Sequence, residues 1–195
     1  MGRLAQQINF IRELDKLKKV QRQTWLMDAS RKENTAEHSW HIGVMAMVLA
    51  EYAPKSKLDL TRVVQMLLVH DIVEIDAGDT FCYNTAAVAH QASQEERAAG
   101  RLFGLLPEDQ ADYFQGLWEE FEARETAESL LANALDRLQP ILNNYYSDGK
   151  SWQANGIRRD QVRERNRIVA DGAPDLWVYI EDLLQRAVNE GMLKD

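Results

Sequence analysis

Cysteine, proline, glycine and histidine are all scarce in this 195-residue chain, and most of these scarcities exclude something. One cysteine, Cys82, rules out an internal disulfide framework and fits a reducing compartment. With four prolines and ten glycines there is no low-complexity tract, repeat or long linker. No apolar run is long enough to span a bilayer, and the stretch MGRLAQQINFIRELDKLKK is amphipathic, without the apolar centre of a secretory signal. Positive charge is also short. A net charge of −8 is the wrong sign for a protein that grips a nucleic-acid duplex by its phosphates. The expectation is therefore a cytoplasmic protein with neither membrane nor nucleic acid as partner. Its 45% hydrophobic content is globular, and its length suits a single domain over 1–195 with a substantial core.

The charge that is present is uneven. Residues 1–32 hold eight Lys/Arg against three Asp/Glu, whereas residues 74–128 hold three Arg against thirteen Asp/Glu. A basic segment beside an acidic body can present a few cations to a small anion.

Hydrophobic spacing is helical almost throughout. Leu4, Ile8, Ile11, Leu14 and Leu17 mark a first helix, and Arg22 to Thr35 reads as a turn or broken helix. Thr35 is placed to cap a helix from about Ala36 that ends by Pro54. Asp59 is placed to cap LTRVVQMLLVHDIVEIDAG, a segment apolar on nearly all sides and closed at Gly78. A loop is expected over 79–90, then helices near 91–105, 107–122 and 125–146. Pro107 suits a first helical turn and Pro140 should kink the third of these. A loop at 149–156, a polar helix at 158–170 and an amphipathic helix at 174–191, opened by Asp171 or Pro174, complete an all-α reading without strands.

Histidine occurs four times, at His38, His41, His70 and His90, and two of these adjoin a carboxylate, in Glu37-His38 and His70-Asp71. Imidazole nitrogen and carboxylate oxygen together suit a divalent first-row metal. In a helix, Glu74 shares a face with Asp71 and His70, and Asp79 follows just past the helix end. Such charge at the end of an apolar helix is costly unless paired or metal-bound. His38 points inward with Ile42 and Met45, and Asp136 lies among Leu131, Leu135 and Leu138. Read alone, His70-Asp71 also suits a structural hydrogen bond, His38 a satisfied core histidine, and Asp136 a pairing with Arg137 or Arg124. His41 is read as packing or support, and Glu95 and Glu96 as a solvated face rather than a second ion site. Trp118, Trp152 and Trp177 are read as core or interface.

The order His38 … His70-Asp71 … Asp136 resembles the H…HD…D signature of the HD-domain metal-dependent phosphohydrolases. Arg22-Gln-Thr-Trp25, Glu33-Asn-Thr-Ala-Glu-His-Ser39, His70-Asp-Ile-Val-Glu74 and Ala77-Gly-Asp79 are similar to the branch that includes the 5′-deoxynucleotidases. The likeness covers roughly residues 10–185. It implies a helical bundle around one divalent ion (Mn, Co, Fe, Zn or Ni), with His38, His70, Asp71 and Asp136 as ligands. It further implies that Glu74 activates or orients water, that Asp79 assists protonation or orients the leaving group, and that Arg22 contacts the substrate phosphate. The spacing from Arg22 to His38 is one residue longer than in the best-known bacterial members, so Arg31 or Lys32 is the alternative grip.

The expected activity is a phosphomonoesterase acting on the 5′-phosphate of (deoxy)nucleoside monophosphates. A nucleotide phosphodiesterase or alarmone hydrolase of the same superfamily, or a non-catalytic nucleotide-binding regulator, are the alternatives. The amphipathic first and last helices suggest a homodimer.

Overall fold

In the computed structural model, which describes residues 2–54, 58–83 and 85–195, helices dominate as expected. The first, α1 (Arg3–Leu14), continues into a 3-10 segment over Asp15–Lys19. Its inward residues are Phe10 and Leu17, while Leu4, Ile8 and Ile11 face solvent.

The expectation of no strands fails at one place. Gln21–Trp25 (β1) and Lys32–Asn34 (β2) form a short antiparallel hairpin, with Gln21 opposite Asn34 and Trp25 opposite Lys32. Its turn is closed by the Leu26 N–H donating to the Arg31 carbonyl and the Ser30 N–H donating to Asp28. The segment carries no alternation of apolar and polar residues, which is why it reads as irregular.

Asn34, not Thr35, caps α2 (Thr35–Leu49). Its side chain accepts the Glu37 N–H, and the Glu37 carboxylate accepts the Asn34 N–H in return. Thr35 is thereby freed for another partner. A 3-10 turn, Ala50–Tyr52, ends the element before Pro54.

Asp59 caps α3 (Leu60–Val69) as expected, accepting the Arg62 N–H. The predicted single helix to Gly78 is broken in geometry, however. It tightens into a 3-10 turn at His70–Val73 and resumes as α4 (Glu74–Ala77). Gly78 stops it with φ +75°, a backbone conformation that favours glycine.

The loop expected over 79–90 is shorter than predicted, because α5 (Thr85–Phe103) begins within it; Asn84 lies outside the described residues. The Ala-rich start of α5 has high helix propensity but little apolar periodicity. There follow α6 (Glu108–Ala123), capped by Pro107, and α7 (Ala127–Tyr146), capped by Thr126 and running on through Pro140. A helix, α8 (Lys150–Asn155), stands where a loop was expected, between two left-handed glycines, Gly149 and Gly156. The predicted polar helix is divided into α9 (Arg159–Asn166) and α10 (Val169–Gly172). Pro174 opens α11 (Pro174–Asn189) at its first turn, with Ala173 rather than Asp171 at the cap.

The buried axis is α7, which packs against α2, α3, α6, α10 and α11. Leu131, Leu135, Leu138 and Ile141 of α7 meet Val63, Met66 and Leu67 of α3 and Ile42 and Ala46 of α2 in one continuous core. At roughly 1.5–3 kcal/mol per fully buried aliphatic side chain, this core holds the three helices in fixed register. His38, His70 and Asp136 ride on those elements or directly follow them.

Candidate metal centre and cavity

Side chains from three separate stretches of the sequence converge here. His38 Nε2 lies 3.0 Å from Asp136 Oδ1, and His70 Nε2 lies 3.8 Å from the same oxygen. Asp71 Oδ1 is 3.0 Å from His70 Nε2, while its Oδ2 is 3.9 Å from His38 Nε2. His38, His70 and Asp71 each offer a ligand atom within 4.8 Å of the others'.

The outer nitrogens show which way the imidazoles face. His70 Nδ1 donates to the Leu67 carbonyl at 2.9 Å, so the lone pair of its neutral ring sits on Nε2. His38 Nδ1 meets Gln139 Oε1 at 3.1 Å, and the Gln139 amide is oriented by its Nε2 donating to Glu33 Oε1 at 2.6 Å. This Glu33–Gln139–His38 series makes Nδ1 the donor and leaves the His38 lone pair on Nε2 as well. Nε2 of each ring thus faces the carboxylate oxygens. His70 Nε2 is buried with no hydrogen bond of acceptable geometry despite its close approach to Asp71. Two inner imidazole nitrogens facing the carboxylates of Asp71 and Asp136 make a donor set that fits a divalent first-row ion when both rings are neutral.

The electrostatics agree. Burial, reinforced by the Arg22 charge, holds the His38 imidazole below its ordinary pKa and therefore neutral. Burial pulls His70 down too, but Asp71 and Asp136 outweigh it and lift His70 well above the usual histidine range. A proton on His70 is the smallest cation that answers those carboxylates. Asp71 resists burial because of His70 and Arg22 and is held down to about 2.

Around this centre lies a cavity of about 300 Å³, at the lower end of small-molecule sites. Glu74 and Asp79 both line it. The Thr35 hydroxyl donates to Glu74 Oε2 at 2.8 Å, and the Gln23 N–H of the hairpin donates to Asp79 at 3.0 Å. Burial, then the charge of Asp71, raises the Glu74 carboxyl well above the ordinary range, and burial raises Asp79.

Arg22 also faces the cavity, with Nη1 on Asp71 Oδ2 at 2.8 Å. Arg31 and Lys32 do not line it. Arg31 forks onto Glu37 at the surface, and Lys32 donates to Gln23. His41 approaches the Gln139 amide at 3.4 Å, a supporting place as expected.

The expected solvated face at Glu95 is corrected by the structure: Glu95 is on the cavity wall, and burial lifts its carboxyl to about 7. Glu96 is exposed. Trp152, read as core, is buried and also lines the cavity. Sequence reasoning passed over Glu33, Gln139 and Arg165 and took Arg124 and Arg137 only as pairing partners for Asp136, yet all three arginines line the cavity. The place of Glu33 at the head of the Glu33–Ser39 string was the available signal for the first; nothing local marked Gln139 or Arg165.

An all-α bundle with imidazoles and carboxylates gathered under a polar cavity defines a helical protein built around a metal-type centre. A family model described as "HD domain" matches residues 14–177, and the chain belongs to that family. It is 32% identical to human "5′-deoxynucleotidase HDDC2" over 136 residues, 69% of this chain and 65% of the human protein, so the match stops short of two thirds of that relative. A bacterial "5′-deoxynucleotidase Ent638_2835" from Enterobacter is 29% identical over 196 residues, covering 92% of this chain and 97% of that one. A crystal structure titled "Predicted metal-dependent phosphohydrolase", from Magnetospirillum magnetotacticum, superposes with a TM-score of 0.94 at 50% identity, covering 99% and 96% of the two chains.

Proposed function

We propose that this protein is a metal-dependent phosphohydrolase that removes the 5′-phosphate from deoxynucleoside monophosphates. The observation that carries the reading is the convergence of two buried Nε2 atoms with Asp71 and Asp136 at one wall of a polar cavity. The relatives named as 5′-deoxynucleotidases support the substrate class.

His38, His70, Asp71 and Asp136 are the residues that hold the ion in this reading. When bound, a divalent ion supplies acidification of water and neutralisation of phosphate charge. Glu74, its carboxylate fixed by the Thr35 hydroxyl, takes a proton from the attacking water. The water oxygen forms a bond to phosphorus as the bond from phosphorus to the 5′-oxygen breaks. Asp79, kept protonated more readily than an exposed aspartate, gives its proton to the departing 5′-oxygen. Arg22 rather than Arg31 contacts the phosphate, because only Arg22 faces the cavity. The products are a deoxynucleoside and inorganic phosphate.

The whole chain acts as one domain, in the cytoplasm, without nucleic acid. No described helix is long and apolar enough to cross a membrane. The working assembly is a homodimer, supported by the exposed apolar residues of α1, α2 and α11.

Phosphate release from deoxynucleoside monophosphates by metal-replete protein tests the reaction, and Glu74→Ala tests the roles. The variant should lose about 10²–10⁴-fold in turnover while its metal content, read by elemental analysis, stays unchanged. Loss of the metal would make Glu74 a ligand and undo the assignment.

A further inference from the structure

One buried carboxylate beside the centre takes no part in the chemistry assigned above. Glu33 of β2 is 2% exposed and does not line the cavity, yet both of its oxygens face residues that serve the centre. Its Oε1 accepts the Gln139 amide at 2.6 Å, and that amide orients His38. Its Oε2 lies 3.7 Å from Arg22 Nε and 3.7 Å from His38 Nδ1. Both this oxygen and the Arg22 Nε are buried without a hydrogen-bond partner, so what meets each is the other. The Asn143 amide stands beside the same carboxylate.

The hairpin explains the pairing. Arg22 follows Gln21 and Glu33 precedes Asn34, and Gln21 and Asn34 are opposed across the two strands. Asn34 in turn caps α2, which fixes Glu33 just ahead of the helix that carries His38. One short element therefore delivers both the cavity-facing cation and the carboxylate behind it.

Arg22 needs such a carboxylate. Its Nη1 donates to Asp71 Oδ2 at 2.8 Å, and Glu74, Asp79 and Asp136 attract the same charge. Those groups line the cavity, so a guanidinium free to turn about its stem would settle on them. Glu33 holds the stem end, at Nε, while Asp71 holds one tip. The remaining nitrogen, Nη2, has no hydrogen-bond partner among the described residues. A guanidinium fixed at two nitrogens presents the third in a set direction, which planar recognition of phosphate oxygens requires.

We propose that Glu33 is a positioning residue with two separable arms: Oε1 acts through Gln139 on His38, and Oε2 holds Arg22 in line for the phosphate of the substrate. The carboxylate that steadies an ion-binding imidazole thereby also steadies the phosphate grip. This rests on the phosphohydrolase reading above and adds to it a residue that touches neither ion nor substrate.

Glu33→Gln separates the arms, since its amide oxygen still accepts from Gln139 while its NH2 group meets Arg22 Nε as donor against donor. Inorganic phosphate, the product, is the probe. Its calorimetric affinity for the metal-replete protein should fall about tenfold in the variant. KM for a deoxynucleoside monophosphate should rise in step, with kcat changed less. Metal affinity, read by competition with a chelator, should stay near the native value. In an Arg22→Met background the same substitution should cost no further phosphate affinity. Glu33→Asp, which keeps the carboxylate but draws it back, should fall between the native protein and Glu33→Gln. It carries the same cycle with Arg22→Met if circular dichroism shows Glu33→Gln unfolded. Phosphate affinity unmoved by either variant, or an equal loss with and without Arg22, overturns the proposal. So does metal affinity lost along with phosphate affinity in Glu33→Gln. If no deoxynucleoside monophosphate is hydrolysed, the nucleotidase reading fails, and phosphate binding still decides the role of Glu33.

Discussion

At the scale of single residues, the centre depends on side chains that never touch an ion or substrate. Gln139 is fully buried and bridges Glu33 to His38, so its amide dictates which ring nitrogen of His38 carries the proton. A hydrocarbon there keeps the volume but removes both contacts, leaving His38 free to flip its tautomer and a buried carboxylate without its donor. Outer partners of this kind are worth about 10–100-fold in metal affinity. Gln139→Leu should therefore weaken metal binding by about that factor, measured by competition with a chelator, with the helical circular dichroism preserved. Unaltered affinity would mean that the orientation of His38 is set elsewhere. The histidines and carboxylates of the centre were legible in sequence because they are rare, adjacent and costly to bury. Gln139 was not: a glutamine in a helix carries no periodic or charge signal, and its role exists only once α2 and α7 are packed.

At the scale of elements, what sequence pattern predicts best is the long apolar helix, and what it misses is local geometry imposed by neighbours. The helix ending at Gly78 was legible from its apolar run and its cap at Asp59. The 3-10 turn at His70–Val73 was not, since the same residues also satisfy α-helical spacing. The hairpin of β1 and β2 was hidden for a related reason: its strands are polar, and their stability comes from pairing and from contacts with α2, α7 and α8. Close helix packing is another feature with little sequence signature. A side chain at Gly172 would place its Cβ 2.2 Å from the Leu130 carbonyl oxygen and 3.1 Å from the Ala134 Cβ, so α10 reaches the α7 backbone only because that residue is glycine. Both neighbours are fixed in α7, and neither is a flexible side-chain end. Gly172→Ala should destabilise the fold by about 1–3 kcal/mol, the range for overpacking, and a urea melt reads it as a lower midpoint at constant slope. A stability equal to the native protein would show that α10 can shift away from α7 at little cost.

At the scale of the whole molecule, the arrangement leaves one helix with two opposed tasks. The inner face of α2 presents His38, Ile42 and Ala46 to the core, each fully buried. Its outer face carries Trp40, Val44, Met47 and Val48, and Leu68 of α3 joins the patch. Trp40, Met47 and Val48 are 64%, 69% and 63% exposed, an apolar stripe unusual on a solvated helix and of the kind that marks a protein contact. The first and last helices expose apolar residues as well, at Leu4, Ile8 and Ile11 and at Val178 and Tyr179, but the stripe on α2 is longer and includes a tryptophan, a residue enriched where interfaces concentrate their energy. Pairing two acidic chains costs repulsion, which an apolar contact tolerates better than a charged one. A carboxylate placed in that contact is desolvated without a partner in both subunits. Trp40→Glu should accordingly convert a two-chain species into a one-chain species in sedimentation velocity at micromolar concentration, with an unchanged helical spectrum. Because Trp40 projects away from the core that His38 enters, metal content should survive the change. A native protein that sediments as a single chain would remove the dimer, and a Trp40→Glu variant that still pairs would move the contact to the first or last helix.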